Sequence, residues 1–330
     1  MSEWRRSPVS GEWQVIAPER AHPEALRSGL PGRSAFASRC GWCAGPPGEE
    51  RILYEERSSD GRWSLRVVPS PRPALRVEDG DASETRGRYR VASPGLGAHE
   101  VVVESPDHHR SLYEYAGVDF VRVLTAWRAR MHDLARDRRL LVVVPRRIEP
   151  AGGRLGTHPC SELLALPRVP TNLERKLFVA AEHRRIEGSC LYCDLASEAG
   201  ERLVAREGDS VAFVPWAAPS PFACRIVPVS HDSRFDRISD HRLAETARLL
   251  SLLVGRIGAV LERPRLTLWL HSAPLHEGER DDFHWHIELR PDLCGADDGW
   301  GEAAGVSVNP VAPETAARWL REDGHEGTTV

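Results

Sequence analysis

Cys190-Leu191-Tyr192-Cys193 opens the second half of the chain as Cys40-Gly41-Trp42-Cys43 opens the first, and the same order of signals runs behind each pair. After Cys43 come an alternating apolar segment, Trp63–Pro69 (WSLRVVP), and a strand-like run over residues 99–104 that ends in Ser105-Pro106-Asp107-His108. A helix-like stretch over about 118–137 follows, then a strand over 140–144 and a Gly-rich turn (Gly152, Gly153, Gly156) into His158-Pro159-Cys160. After Cys193 come strands over 210–214 and 223–228, the latter running into His231. A helix over roughly 240–261 places Leu243, Ala247, Leu250, Val254, Ile257 and Leu261 on one face. A strand over 266–271 then precedes Phe283-His284-Trp285-His286. The spacing agrees as well as the order: 50 residues separate His108 from His158, and 53 separate His231 from His284. The chain reads as a duplicated unit, residues 1–170 and 171–330, with 167–172 and the polar stretch to Gly188 as the connection.

The bulk composition narrows the function classes. A chain of 330 residues suits two similar units, and 41% hydrophobic with 28% charged residues is ordinary for a globular protein. No run reaches the roughly 18 to 20 apolar residues of a membrane span, and the N-terminus lacks the apolar stretch of a signal peptide, so a cytoplasmic protein is expected. A net charge of -4 without a basic tail or patch argues against nucleic acid and membrane surfaces as partners. A few arginines in a pocket still suffice for an anionic small molecule.

Seven cysteines in such a chain are expected to stay reduced, and C-x-x-C pairs with histidines downstream read as metal sites. A structural zinc wants four soft or borderline ligands in a tetrahedron, and one tight turn supplies two thiolates. The first set chosen is Cys40, Cys43, His108 and His158; the second is Cys190, Cys193, His231 and His284. Each half thus offers a Cys₂His₂ set in the same order.

The order C-x-x-C, S-P-x-H, Gly-rich turn and H-P-x resembles the galactose-1-phosphate uridylyltransferases of the histidine-triad superfamily. Further stretches carry the same resemblance: Pro8-x-x-Gly-x-Trp13 with Arg20, Arg66-Val-Val-Pro69, His271-Ser-Ala-Pro274, and His284-Trp-His286-Ile-Glu-Leu continuing to Asn309-Pro310. The resemblance implies an α+β fold of two histidine-triad-like halves, each an antiparallel sheet with a packed helix. It also implies a homodimer, a nucleotide sugar and a sugar phosphate as substrates, and transfer of a nucleoside monophosphate through a covalent nucleotidyl-enzyme. The metals would be structural. Arg20 would hold phosphate, with Ser70, Ser161 and His286 lining the substrate pocket.

The motif departs from the family pattern where chemistry would occur. The nucleophile position holds Cys160 in place of a histidine, and the position of a phosphoryl-binding glutamine holds Glu162. A thiol can serve as nucleophile if its pKa is lowered, whereas an ionised carboxylate is acceptor-only and repels phosphate. Three readings follow. The first is a nucleotidyltransferase working through Cys160, the second a hydrolase with Glu162 as base. The third is a non-catalytic, zinc-stabilised relative in which Cys160 is a small buried hydrophobe.

Overall fold

The computed structural model describes residues 2–9, 11–18, 40–43, 52–78, 84–151, 158–293 and 304–322. A small antiparallel sheet is built from β1 (Glu3–Arg6), β2 (Trp13–Ile16), β5 (Thr85–Arg86) and β6 (Val91–Pro94), in the order β2-β1-β6-β5. The large sheet takes five strands from each half. The first half supplies β3 (Tyr54–Arg57), β4 (Trp63–Pro69), β7 (Ala98–Val103), β8 (Val142–Glu149) and β9 (Cys160–Leu166). The second supplies β10 (Leu203–Glu207), β11 (Ser210–Phe213), β12 (Cys224–Pro228), β13 (Arg265–His271) and β14 (His286–Asp292).

The strand order is β10-β11-β12-β14-β13-β8-β9-β7-β4-β3. Read outward from the centre, the two halves match strand for strand, so the topology carries the duplication seen in the spacing. The expectation of one sheet per half needs a refinement. The halves join edge to edge where β13 pairs β8, from Leu266↔Glu149 to Trp269↔Arg146, giving one continuous antiparallel sheet. Neither half presents that edge to solvent, which removes the aggregation hazard of an unpaired strand.

Helix α1 (Gly117–Leu134) connects β7 to β8, and α4 (Asp240–Val260) connects β12 to β13. Both lie on one face of the sheet and pack against each other. Their apolar stripes bury Leu124, Trp127 and Met131 from α1 with Leu250, Leu253 and Ile257 from α4, above Leu65, Val102, Leu163, Leu268 and Leu289 of the strands. Each such side chain contributes on the order of 1.5–3 kcal/mol. A buried, bidentate pair of Arg130 with Glu100, at 2.8 and 2.7 Å, ties α1 to β7. Gly258 lets α4 approach closely: a Cβ there would stand 2.6 Å from Tyr113 Cδ1.

The other face is covered unevenly. Over the second half lie α2 (Thr171–Glu187) and α3 (Leu191–Ser197), which bury Leu173, Ala180 and Tyr192 against Phe213, Val227 and Phe283. The stretch read as a linker to Gly188 is therefore a helix, ended by Gly188 at φ 76. It escapes a periodicity test because it buries only Leu173 and Ala180 while Phe178, Val179 and Ile186 stay exposed. Over the first half, Trp4 of the small sheet packs on Leu75 and Leu166. A short helix α5 (Pro313–Glu322) packs its Ala316, Ala317 and Leu320 into the main core. No helix of the described residues is long and apolar enough to cross a membrane.

Candidate metal centres and active site

The fold brings together both ligand sets. In Cys40, Cys43, His108 and His158, and again in Cys190, Cys193, His231 and His284, one ligand atom from each residue lies within 4.8 Å of the others. In the first set His108 Nδ1 stands 3.2 Å from Cys43 Sγ, and His158 Nδ1 stands 3.6 Å from the same sulfur. In the second, Cys193 Sγ lies 3.2 Å from His284 Nε2 and 3.7 Å from His231 Nδ1.

The far side of the rings tests whether a metal fits. His158 Nε2 donates to the Ser105 carbonyl at 2.6 Å, and His231 Nε2 donates to the Arg280 carbonyl at 2.7 Å. In the neutral ring this bond puts the proton on Nε2 and leaves Nδ1, which faces the sulfurs, as the ligand atom, the backing that metal-ligating histidines use. Burial and then His231 push His284 down to about 3, so it too is held as the neutral ligand form. Two thiols and two neutral imidazoles at this separation suit a tetrahedral Zn²⁺.

From His158 the chain enters β9, whose residues alternate between the two faces. Ser161 points inward, 1% exposed, and its Oγ accepts from Trp127 Nε1 of α1 at 2.9 Å. Cys160 and Glu162 consequently share the opposite face. Strand alternation turns the Ser161 side chain to the core, away from the face that carries Cys160 and Glu162.

Cys160 packs against Val68, Val101 and Val103 with Trp42 and Trp63. Burial, followed by the charge of Glu104, pushes its thiol well above the ordinary value. An activated nucleophilic cysteine requires the reverse. Glu162 is tied up differently. Its Oε2 accepts from Arg146 Nη2 at 2.6 Å, and its Oε1 lies 3.5 Å from His99 Nε2. His99 Nδ1 in turn accepts from the Ala74 amide at 3.1 Å, which leaves the ring proton on Nε2, facing Glu162. The hydrogen bond from His99, together with that from Arg146 and against the effect of burial, holds Glu162 down to about 2. A carboxylate that weakly basic is a poor general base near neutral pH, which counts against the hydrolase reading.

His99 and Arg146 were not singled out from the sequence. Arg146 sits in a strand that extends past the expected 140–144 to Glu149, because Arg147 on its inner face is paired with Glu104 at 2.9 Å and Glu149 at 2.8 Å. Two adjacent arginines hide a strand from a search for alternating apolar residues. Only the register, Arg146↔Glu162, shows that the two charges are neighbours.

Ser70 follows β4, its amide bonded to the His99 carbonyl at 2.8 Å, so it shares the loop that His99 also holds through Ala74. Arg20 and the Gly-rich turn at Gly152, Gly153 and Gly156 lie outside the described residues. His286 occupies in β14 the place that Cys160 has in β9, but it has no exposed surface. Its Nδ1 donates to the His284 carbonyl at 3.1 Å, Lys176 Nζ lies 3.2 Å from Nε2, and the Tyr192 ring stacks over it at 5.0 Å. Glu288, two residues on, takes Lys176 at 2.8 Å, Arg225 at 2.7 Å and the Trp269 indole at 3.1 Å. Lys176 of α2 and Tyr192 of α3 close over His286, and burial pushes its ring down to about 4.

No protein-family model matches the chain. It is 29% identical to ADP-glucose phosphorylase of Arabidopsis thaliana, over 97% of this chain and 92% of that protein. It is 25% identical to galactose-1-phosphate uridylyltransferase of Thermotoga maritima, over 98% of each. The crystal structure of an ADP-glucose phosphorylase from Arabidopsis thaliana with bound ADP-glucose superposes with a TM-score of 0.77 at 27% identity, covering 98% of both chains. The α+β architecture is therefore that of these relatives, which are enzymes by name.

Proposed function

We propose that this chain, a homologue of ADP-glucose phosphorylase and of the galactose-1-phosphate uridylyltransferases, moves a nucleoside monophosphate from a nucleotide sugar to a phosphate-bearing acceptor. The observation that carries this reading is the placing of Cys160 and Glu162 on the sheet face away from α1 and α4, directly after the metal-set residue His158. Inorganic phosphate with ADP-glucose is the first substrate pair to try. The acceptor oxygen forms a bond to the α-phosphorus, the bond from that phosphorus to the bridging oxygen breaks, and its electron pair stays on the β-phosphate. The products are a nucleoside diphosphate and a sugar 1-phosphate.

Direct attack by the acceptor is the route to test first, with a cysteinyl intermediate on Cys160 as the alternative outcome. Phosphate is already anionic at neutral pH and needs no activated protein nucleophile. Zinc in the first Cys₂His₂ set would fix the turn at Cys40–Cys43 and the start of β9, and zinc in the second would do the same for Cys190–Cys193 and the start of β14, structural roles away from the transferred group. The same resemblance gives a homodimer, checked by light scattering.

The test is release of glucose 1-phosphate from ADP-glucose and UDP-glucose, with phosphate or galactose 1-phosphate as acceptor, alongside intact-protein mass after incubation without acceptor. Turnover with no mass adduct is expected. An adduct on Cys160 would restore the covalent route, and no turnover with any pair would sink the reading.

A further inference from the structure

We propose that Arg146 receives the phosphate groups of the nucleotide, and that Glu162 is the residue that positions it. This rests on the nucleotide-sugar reading above. Arg146 on β8 faces Glu162 on β9 directly, which places it diagonally from Cys160 on the same face, at a Cα separation of roughly 7–8 Å. A side chain of arginine's length spans that gap.

Exposure separates Arg146 from Arg225, Lys176 and Arg66, the cations that stand beside carboxylates in the middle of this face. Its side chain is 50% exposed. Arg225 and Lys176, at 19% and 22%, are both spent on Glu288, and Arg66, at 14%, is spent on Glu55. The bond to Glu162 engages one Nη2–H, and a guanidinium carries five donors in a rigid fork. The remaining donors are open to a second anion, and fork geometry suits phosphate oxygens.

Glu162 would be an odd neighbour for a phosphate if its charge were free. It is not free: Arg146 and His99 take one oxygen each. His99 is in turn fixed by the Ala74 amide, so the carboxylate is a stay that holds the guanidinium in place over the face. The second half uses the equivalent carboxylate, Glu288, differently. There the neighbour on the strand matching β8 is Trp269, and Lys176 closes over the position. Of the two matching places, only the first keeps an exposed cation.

The experiment is calorimetric titration of ADP and UDP, with adenosine and uridine as phosphate-free controls, into wild type and the R146Q, R146K and E162A variants. ADP or UDP affinity is expected to fall about 10- to 100-fold in R146Q, with R146K retaining part of it and nucleoside affinity unchanged. E162A is expected to lose about 3- to 10-fold for the diphosphate alone, because the guanidinium is left untethered. Equal losses for nucleoside and diphosphate would assign Arg146 a merely structural role and overturn the inference. Unchanged diphosphate affinity in R146Q would overturn it and leave the nucleotide-sugar reading standing. A wild type that binds neither diphosphate would end both.

Discussion

The indole N–H of Trp127 reaches through the covered face of the sheet to the hydroxyl of Ser161, the residue between Cys160 and Glu162. The strand carrying the candidate chemistry is thus held from behind, by a helix with no access to substrate. Trp127→Phe removes that donor and little volume. It is expected to lower stability by about 1 kcal/mol, read from denaturant midpoints, with KM for the nucleotide sugar unmoved. A KM change would show that the anchor sets the geometry of the open face.

Cys160 lies among valines and tryptophans with its thiol pushed upward by burial. Cys160→Ala is expected to cut turnover by no more than about threefold, and alkylation of Cys160 at neutral pH should lag behind that of a free thiol. Loss of activity by two orders of magnitude would mean that the thiol takes part in the chemistry after all.

Glu162 carries a pH signature. Its folded value, about 2, lies below the ordinary 4.5, so its partners stabilise the fold at pH values above 4.5, and this contribution is lost as pH falls from there toward 2. With the side chain 32% exposed, about 2 kcal/mol is a reasonable size after allowance for solvent screening. Wild type should exceed Glu162→Gln in stability by a constant margin from pH 7 to 5, and the margin should narrow below 4.5. A margin independent of pH would remove the ion pairs as its cause.

The two metal sets should come apart independently. Cys43→Ser is expected to reduce bound zinc by one equivalent and lower the melting temperature by several degrees. Cys193→Ser should do the same for the other set. Mass spectrometry under native conditions counts the ions. Retention of both in either variant would contradict the assigned ligands.

Much of this was legible before any coordinates. Both ligand sets follow from paired cysteines and two histidines at matched spacing, because thiolate and imidazole in that pattern have few other uses. The two long helices declared themselves through one-sided apolar stripes, and the order of strands and helices along the chain repeated from one half to the other. What stayed hidden depends on cross-strand neighbours. Arg146, His99 and the inward turn of Ser161 are properties of register, which a single strand does not reveal. Helix α2 stayed hidden because its apolar residues are spread around its circumference, and the burial of His286 because Lys176 and Tyr192 arrive from elements distant in sequence.

The pairing of β8 with β13 has a mechanical consequence. Two-lobed enzymes often close by swinging about a flexible joint, but here the boundary between the halves is a run of backbone hydrogen bonds in the middle of a continuous sheet. The halves cannot open like jaws without tearing that ladder. Any movement that accompanies binding must be carried by the loops and outer helices, over a platform that stays still.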